Sequence, residues 1–105
     1  MDSVNTKGNE LYVLRIEHLT NDFNTWKKAF DSDPALRKKN GVVNYRISQL
    51  TNNPNYVMID LGFESLIMLE QFHGLLQKLW GTVNVKLIEG VKSFTAKIIE
   101  YKEVV

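Results

Sequence analysis

Apolar residues recur along this chain at a period of two, then of three to four, then of two in two successive stretches. The last two stretches return to three to four and then to two. A period of two fits a strand with one buried face, and a period near 3.6 fits an amphipathic helix. In Leu11 to His18, the residues Leu14, Ile16 and His18 share one face, with Arg15 and Glu17 on the other, which predicts a strand. Asn21 or Asp22 can cap the helix that follows, whose stripe is Phe23, Trp26 and Phe30. Asp33-Pro34 reads as a fresh cap with Pro at the first helical position. That predicts a short turn of helix through Lys39, closed by Asn40-Gly41. Val42 to Leu50 alternates, with Val43, Tyr45 and Ile47 on one face and Asn44, Arg46 and Ser48 on the other. Thr51 to Asn55 is dense in turn formers. Tyr56 to Phe63 is the third strand, with Val57, Ile59, Leu61 and Phe63 on one face and Tyr56, Met58, Asp60 and Gly62 on the other. A second helix starts at Glu64 or Ser65, carries Leu66, Leu69, His73, Leu76 and Trp80 near one stripe, and ends at Gly81. Ser93 to Tyr101 predicts the last strand, and residues 81 to 92 show no clear period.

Strand, helix, strand, strand, helix, strand is the order of the split βαβ motif. The predicted class is α+β, ferredoxin-like βαββαβ, a four-stranded antiparallel sheet with both helices on one face. A length of 105 residues fits one domain. Residues 1–10 are polar and predict a flexible N-terminal segment, leaving 11–105 as a single domain. No run approaches the roughly 20 apolar residues of a membrane helix, and no secretory h-region opens the chain. A cytoplasmic protein without a membrane partner is expected. With no cysteine, disulfides and thiolate chemistry are excluded. Thirteen basic against 12 acidic residues give a net charge of +1, which offers nothing to a polyanion. Leu11-Tyr12-Val13-Leu14 resembles the first strand of an RNA-recognition motif. The partner strand should then be basic, Gly-rich and doubly aromatic, and Tyr56 to Phe63 is not, so no nucleic acid is expected.

The sheet face turned away from the helices is mixed. It carries Arg46, Asp60, Tyr56 and Met58, and from the last strand either Ile99 with Tyr101 or Phe94 with Ile98. Such a face is too apolar for plain solvation and too charged for a core. It can be idle and wet, bind a nucleic acid, or pair with a second copy of itself.

The segment from His18 to Asp31 (HLTNDFNTWKKAFD) resembles the first strand-to-helix segment of the dimeric α+β barrel superfamily. Gly41 to Arg46 (GVVNYR) with Asn53-Pro54-Asn55 is similar to its central hairpin, and Phe63-Glu64-Ser65-Leu66 to its second helix start. The branch most resembled is the antibiotic biosynthesis monooxygenase-like one, over roughly residues 11 to 80. The resemblance implies a homodimer whose two sheets press face to face into a barrel, with any pocket for a small organic ligand inside. For an enzyme of this kind it implies cofactor-independent oxygenation or proton-transfer chemistry, in a superfamily that also holds members without known activity. The Asn, Trp and His set of the haem-degrading branch has no place here, because Trp80 and His73 lie on the core stripe of the second helix. No cofactor is therefore expected. Two histidines without motif spacing predict no metal site.

His18 is the catalytic candidate. It ends a strand, and its ordinary pKa suits proton transfer; alternatively it hydrogen-bonds locally and orders the turn. Arg46, Asp60, Tyr56 and Met58 are the ligand-binding candidates. A guanidinium can hold an anionic group and a carboxylate can act as base or orienter, or the two form a cross-strand ion pair. Tyr56 and Met58 line a ligand cavity or make dimer contacts. The alternative to a ligand-binding protein is a non-catalytic dimeric module.

Overall fold

The computed structural model describes residues 10–82 and 87–105. The predicted flexible start falls, for residues 1–9, outside the described residues. The elements are β1 (Tyr12–Thr20), α1 (Phe23–Asp31), β2 (Val42–Leu50), β3 (Asn53–Phe63), α2 (Leu66–Thr82) and β4 (Ile88–Lys97). The four strands form one antiparallel sheet in the order β2-β3-β1-β4. Both helices follow a strand and return the chain to the same sheet, which is the predicted βαββαβ architecture.

Register explains which side chains meet. Leu14 stands opposite Leu61, Ile16 opposite Ile59 and His18 opposite Val57, so these six share the helix-covered face. All six are buried. Phe63, Leu69 and Phe72 complete the core, with the Phe63 and Phe72 ring centroids 5.7 Å apart. Truncating either ring to alanine would cost about 3–5 kcal/mol. α1 starts where the Asp22 carboxylate accepts the Thr25 N–H at 2.9 Å, and it docks through buried Trp26. α2 starts where the Ser65 hydroxyl accepts the Met68 N–H at 3.3 Å.

Four expectations need correction. Residues 32–41 are a series of turns, with no second helix. Asp33 and Leu36 take left-handed conformations, at φ 55° and 53°, which interrupt any right-handed helix. Val43 does not join the core face: a bulge between Val42 and Asn44 buries Val42 and leaves Val43 exposed. β3 begins at Asn53, because the irregular pairing between Gln49 and Leu50 takes up Pro54 without needing its missing N–H. The last strand is Ile88–Lys97 instead of 93–101. Its alternation is hidden in the sequence by a second bulge, where Gly90 and Val91 stand across from His18 alone.

Candidate functional site

β1 carries chemistry on both of its faces. His18 points to the helix side at the β1–β4 bulge, where Gly90 turns the backbone at φ 69°. It is buried, its Nδ1 lies 3.1 Å from the Leu19 carbonyl oxygen, and its ring meets the edge of Trp26 at 5.6 Å between centroids. A carbonyl oxygen only accepts, so Nδ1 carries the proton and Nε2 keeps its lone pair in the neutral ring. Burial pushes the His18 pKa down, opposed by the Leu19 hydrogen bond. Among the described residues Nε2 has no partner.

His18 lines a cavity of about 180 Å³ between sheet and helices. Trp26, Phe30, Leu76, Leu79 and Trp80 supply much of the wall, and among the described residues the only other charged or titratable group in it is Arg37. An aromatic ladder runs along this wall. Trp26 and Phe30 stack at 5.3 Å, Phe30 meets Tyr45 edge-on at 5.2 Å, and the Arg37 guanidinium sits 3.9 Å over the Phe30 ring. Such contacts hold a ring in one orientation and are worth about 0.5–1.5 kcal/mol each. The spacing of Trp26 and Phe30 was legible as a stripe; that it fronts a cavity was not. Arg37 carried no signal at all, since it stood in a segment that reads as helix.

The opposite face holds all four predicted ligand-binding residues. Arg46 stands opposite Asp60 across β2 and β3, and Arg15 stands opposite Asp60 across β1 and β3. Arg15 takes both Asp60 oxygens, Nε to Oδ1 at 2.7 Å and Nη2 to Oδ2 at 2.9 Å. Arg46 Nε stays 3.9 Å from Oδ2, and its side chain is 78% exposed. The predicted Arg46–Asp60 pairing is therefore the weaker of two. Arg15, which the sequence reading left unassigned, is the main partner, and its guanidinium pKa rises, chiefly through the Asp60 hydrogen bond. Tyr56 donates its hydroxyl to Glu17 at 2.7 Å, which raises the phenol pKa, and Glu17 lies 3.6 Å from Arg15 Nη1. Met58 stands opposite Glu17 on β1 and Ser48 on β2. Phe94, opposite Arg15, brings an exposed ring to this face; Ile99 and Tyr101 lie beyond the end of β4.

His18 and the Arg46–Asp60 group thus lie on opposite faces of the sheet. They cannot act on one bound molecule within this subunit. What the structure brings to His18 is Trp26, and the cavity they line also holds Trp80 and Arg37.

No protein-family model matches the sequence. No curated protein matches it either. Solved structures do. A dimeric ferredoxin-like protein from an uncultured marine organism superposes with a TM-score of 0.65 at 9% identity, covering 91% of this chain and 94% of that one. The fold is ferredoxin-like. A Bacillus cereus protein provisionally named an antibiotic biosynthesis monooxygenase superposes at 0.63, with 12% identity over 90% of this chain and 99% of its own. One from Deinococcus radiodurans, with the same provisional name, superposes at 0.56, with 13% identity over 89% and 98%. At such identities the ferredoxin-like backbone is what is shared, and the site must be argued from this chain's own residues. Among the described residues no helix is long and apolar enough to cross a membrane.

Proposed function

We propose that this chain is a homodimer that binds a small, largely apolar organic molecule in the cavity between sheet and helices. His18 is the group that takes a hydrogen bond or a proton from that molecule. One observation carries the reading: a cavity of about 180 Å³, walled by aromatic and leucine side chains, is lined by a buried neutral imidazole. A dry cavity of roughly 150 Å³ admits benzene, so the size suits one ring or a short branched chain. A weakly acidic O–H or C–H at Nε2 would pass its proton to the ring. The anion then stays on the ligand, and the imidazolium stays anchored through Nδ1 to the Leu19 carbonyl. The provisional names of two structural neighbours make cofactor-independent oxygenation the first reaction class to assay.

Tyr56 and Met58 take their second role, as contacts with a twin subunit, and Arg46 with Asp60 theirs, as a cross-strand ion pair on the same open face. Two neighbours are described as dimeric ferredoxin-like proteins. The open face here combines a satisfied ionic network with an exposed Phe94, which suits a partner better than water.

Phenol is the probe that tests the site. Saturable quenching of the two tryptophans is expected, with a raised melting temperature at saturating phenol. His18→Ala should weaken phenol about tenfold, the worth of one hydrogen bond, beyond the lower melting temperature that truncating any buried ring brings. A variant that melts early yet binds phenol as the parent does would reduce His18 to a turn-ordering residue.

A further inference from the structure

We infer that the molecule held in the cavity is a monocarboxylate, with its apolar body against the Trp26–Phe30 wall and its carboxylate on Arg37. This rests on the ligand-binding reading above and adds the chemical class. Two concavities approach each other in this region. The inner one is the cavity of about 180 Å³; the outer is a wider groove of about 650 Å³ that includes Lys38, Gly41, Tyr45 and Glu64. Among the described residues Arg37 alone lines both. It therefore stands where an apolar interior meets a polar exterior, and its side chain is only 16% exposed.

Arg37 is held in a way that leaves its donors available. The guanidinium face lies 3.9 Å over the Phe30 ring and 5.0 Å from the Tyr45 ring centre. Stacking occupies the face of the group and leaves its N–H edge free for a carboxylate fork. Nη1 donates to the Phe30 carbonyl at 2.9 Å and lies 3.4 Å from Asp33 Oδ1. Among the described residues Nε and Nη2 have no partner. A fixed, planar cation with an unused edge beside an apolar cavity matches a planar anion joined to an apolar body. Lys38 adds a second positive charge in the groove, while Asp33 and Glu64 are the acids that any bound anion must outcompete. His18 and Arg37 line the same cavity, with the Trp26 and Phe30 rings between them along the ladder. The carboxylate is therefore read at one end and the remaining polar atom, if the ligand has one, at the other.

Benzoate and benzamide make the test, because they share shape and differ in charge. At pH 7 benzoate should bind the intact protein at least tenfold more tightly than benzamide by calorimetry, and the difference should shrink as salt is added. Arg37→Gln should erase that preference, bringing benzoate down to the affinity of benzamide in a variant with the parent's circular dichroism. Asp33→Asn keeps the side-chain acceptor for the Arg37 N–H and removes the competing charge. It should strengthen benzoate several-fold and leave benzamide unchanged. Equal affinity for benzoate and benzamide, with phenol still binding, overturns the carboxylate assignment and spares the cavity reading. Failure of phenol, benzoate and benzamide alike removes both. Should Arg37→Gln fail to fold, Asp33→Asn decides alone, and an unchanged benzoate affinity there overturns the assignment.

Discussion

A histidine kept neutral by burial leaves a signature in stability. The His18 pKa is lowered in the folded chain from 6.5, so the unfolded chain binds more protons just below that pH. The contribution of neutral His18 is therefore complete above about pH 6.5 and is lost progressively as the pH falls through that value towards the folded pKa. His18→Phe removes this titration and keeps the ring against Trp26. Urea unfolding at pH 7.5 and pH 5 should show a smaller loss on acidification in the variant than in the parent. An identical loss would show that the acid sensitivity does not come from His18. Alternation alone put His18 on the face of Leu14 and Ile16, so its direction was legible. Its partner Trp26 was read as core, and that a cavity adjoins both depends on packing no single strand reveals. Arg15 was equally visible, one residue along from Leu14. Its tie to Asp60 needed the β1–β3 register, which a strand's own sequence does not contain.

The connection of residues 32–41 shows how tertiary demands override local preference. Asp-Pro-Ala-Leu-Arg-Lys is a fair helix start, yet the chain must leave α1 and enter β2 within ten residues. It does so through Asp33 Oδ1, which accepts the Arg37 N–H at 2.9 Å, and through the Asn40 side chain, which donates to the carbonyls of Ala35 and Leu36. Leu36 sits left-handed and 50% exposed. The left-handed state costs a non-glycine residue about 1–2 kcal/mol, while glycine brings about 0.5–1 kcal/mol of unfolded freedom. Leu36→Gly should thus raise stability by about 0.5 kcal/mol in urea melts; a loss would show that the leucine side chain holds the turn. Gly41→Ala should act the other way. At φ 100° an L side chain is strained, and its new Cβ would also displace the Met68 side chain, so a loss of roughly 1–3 kcal/mol is expected. An unchanged midpoint would mean that the turn relaxes freely. Gly41 was readable as a helix-ending glycine, and its positive φ is real, although what precedes it is no helix. The bulges at Val43 and across from His18 were not readable, because an inserted residue is invisible to a count of twos.

For the whole molecule, the order of periods was enough to read the βαββαβ fold, since few topologies accept it. A stable pair of sheets should bury on the order of 1,200 Å² or more. Light scattering at micromolar concentration should report a dimer, and a monomer would contradict the pairing. Phe94→Asp offers a sharper check. The ring is 53% exposed, and in a lone subunit such a change costs within about 0.5 kcal/mol. In a face-to-face pair it should shift the species to monomer while circular dichroism stays the same. A dimer that survives would move the contact elsewhere.

β1 is also a partition, with one residue step separating the imidazole's side from the guanidinium's. Losing the Ile16 codon would invert one half of the strand against the other: with Leu14 held inward, Glu17 would turn in and His18 out. Tolerance to insertions and deletions should therefore be all-or-none in this strand, and gradual at the Thr51-Asn52 hairpin tip, where no such inversion follows.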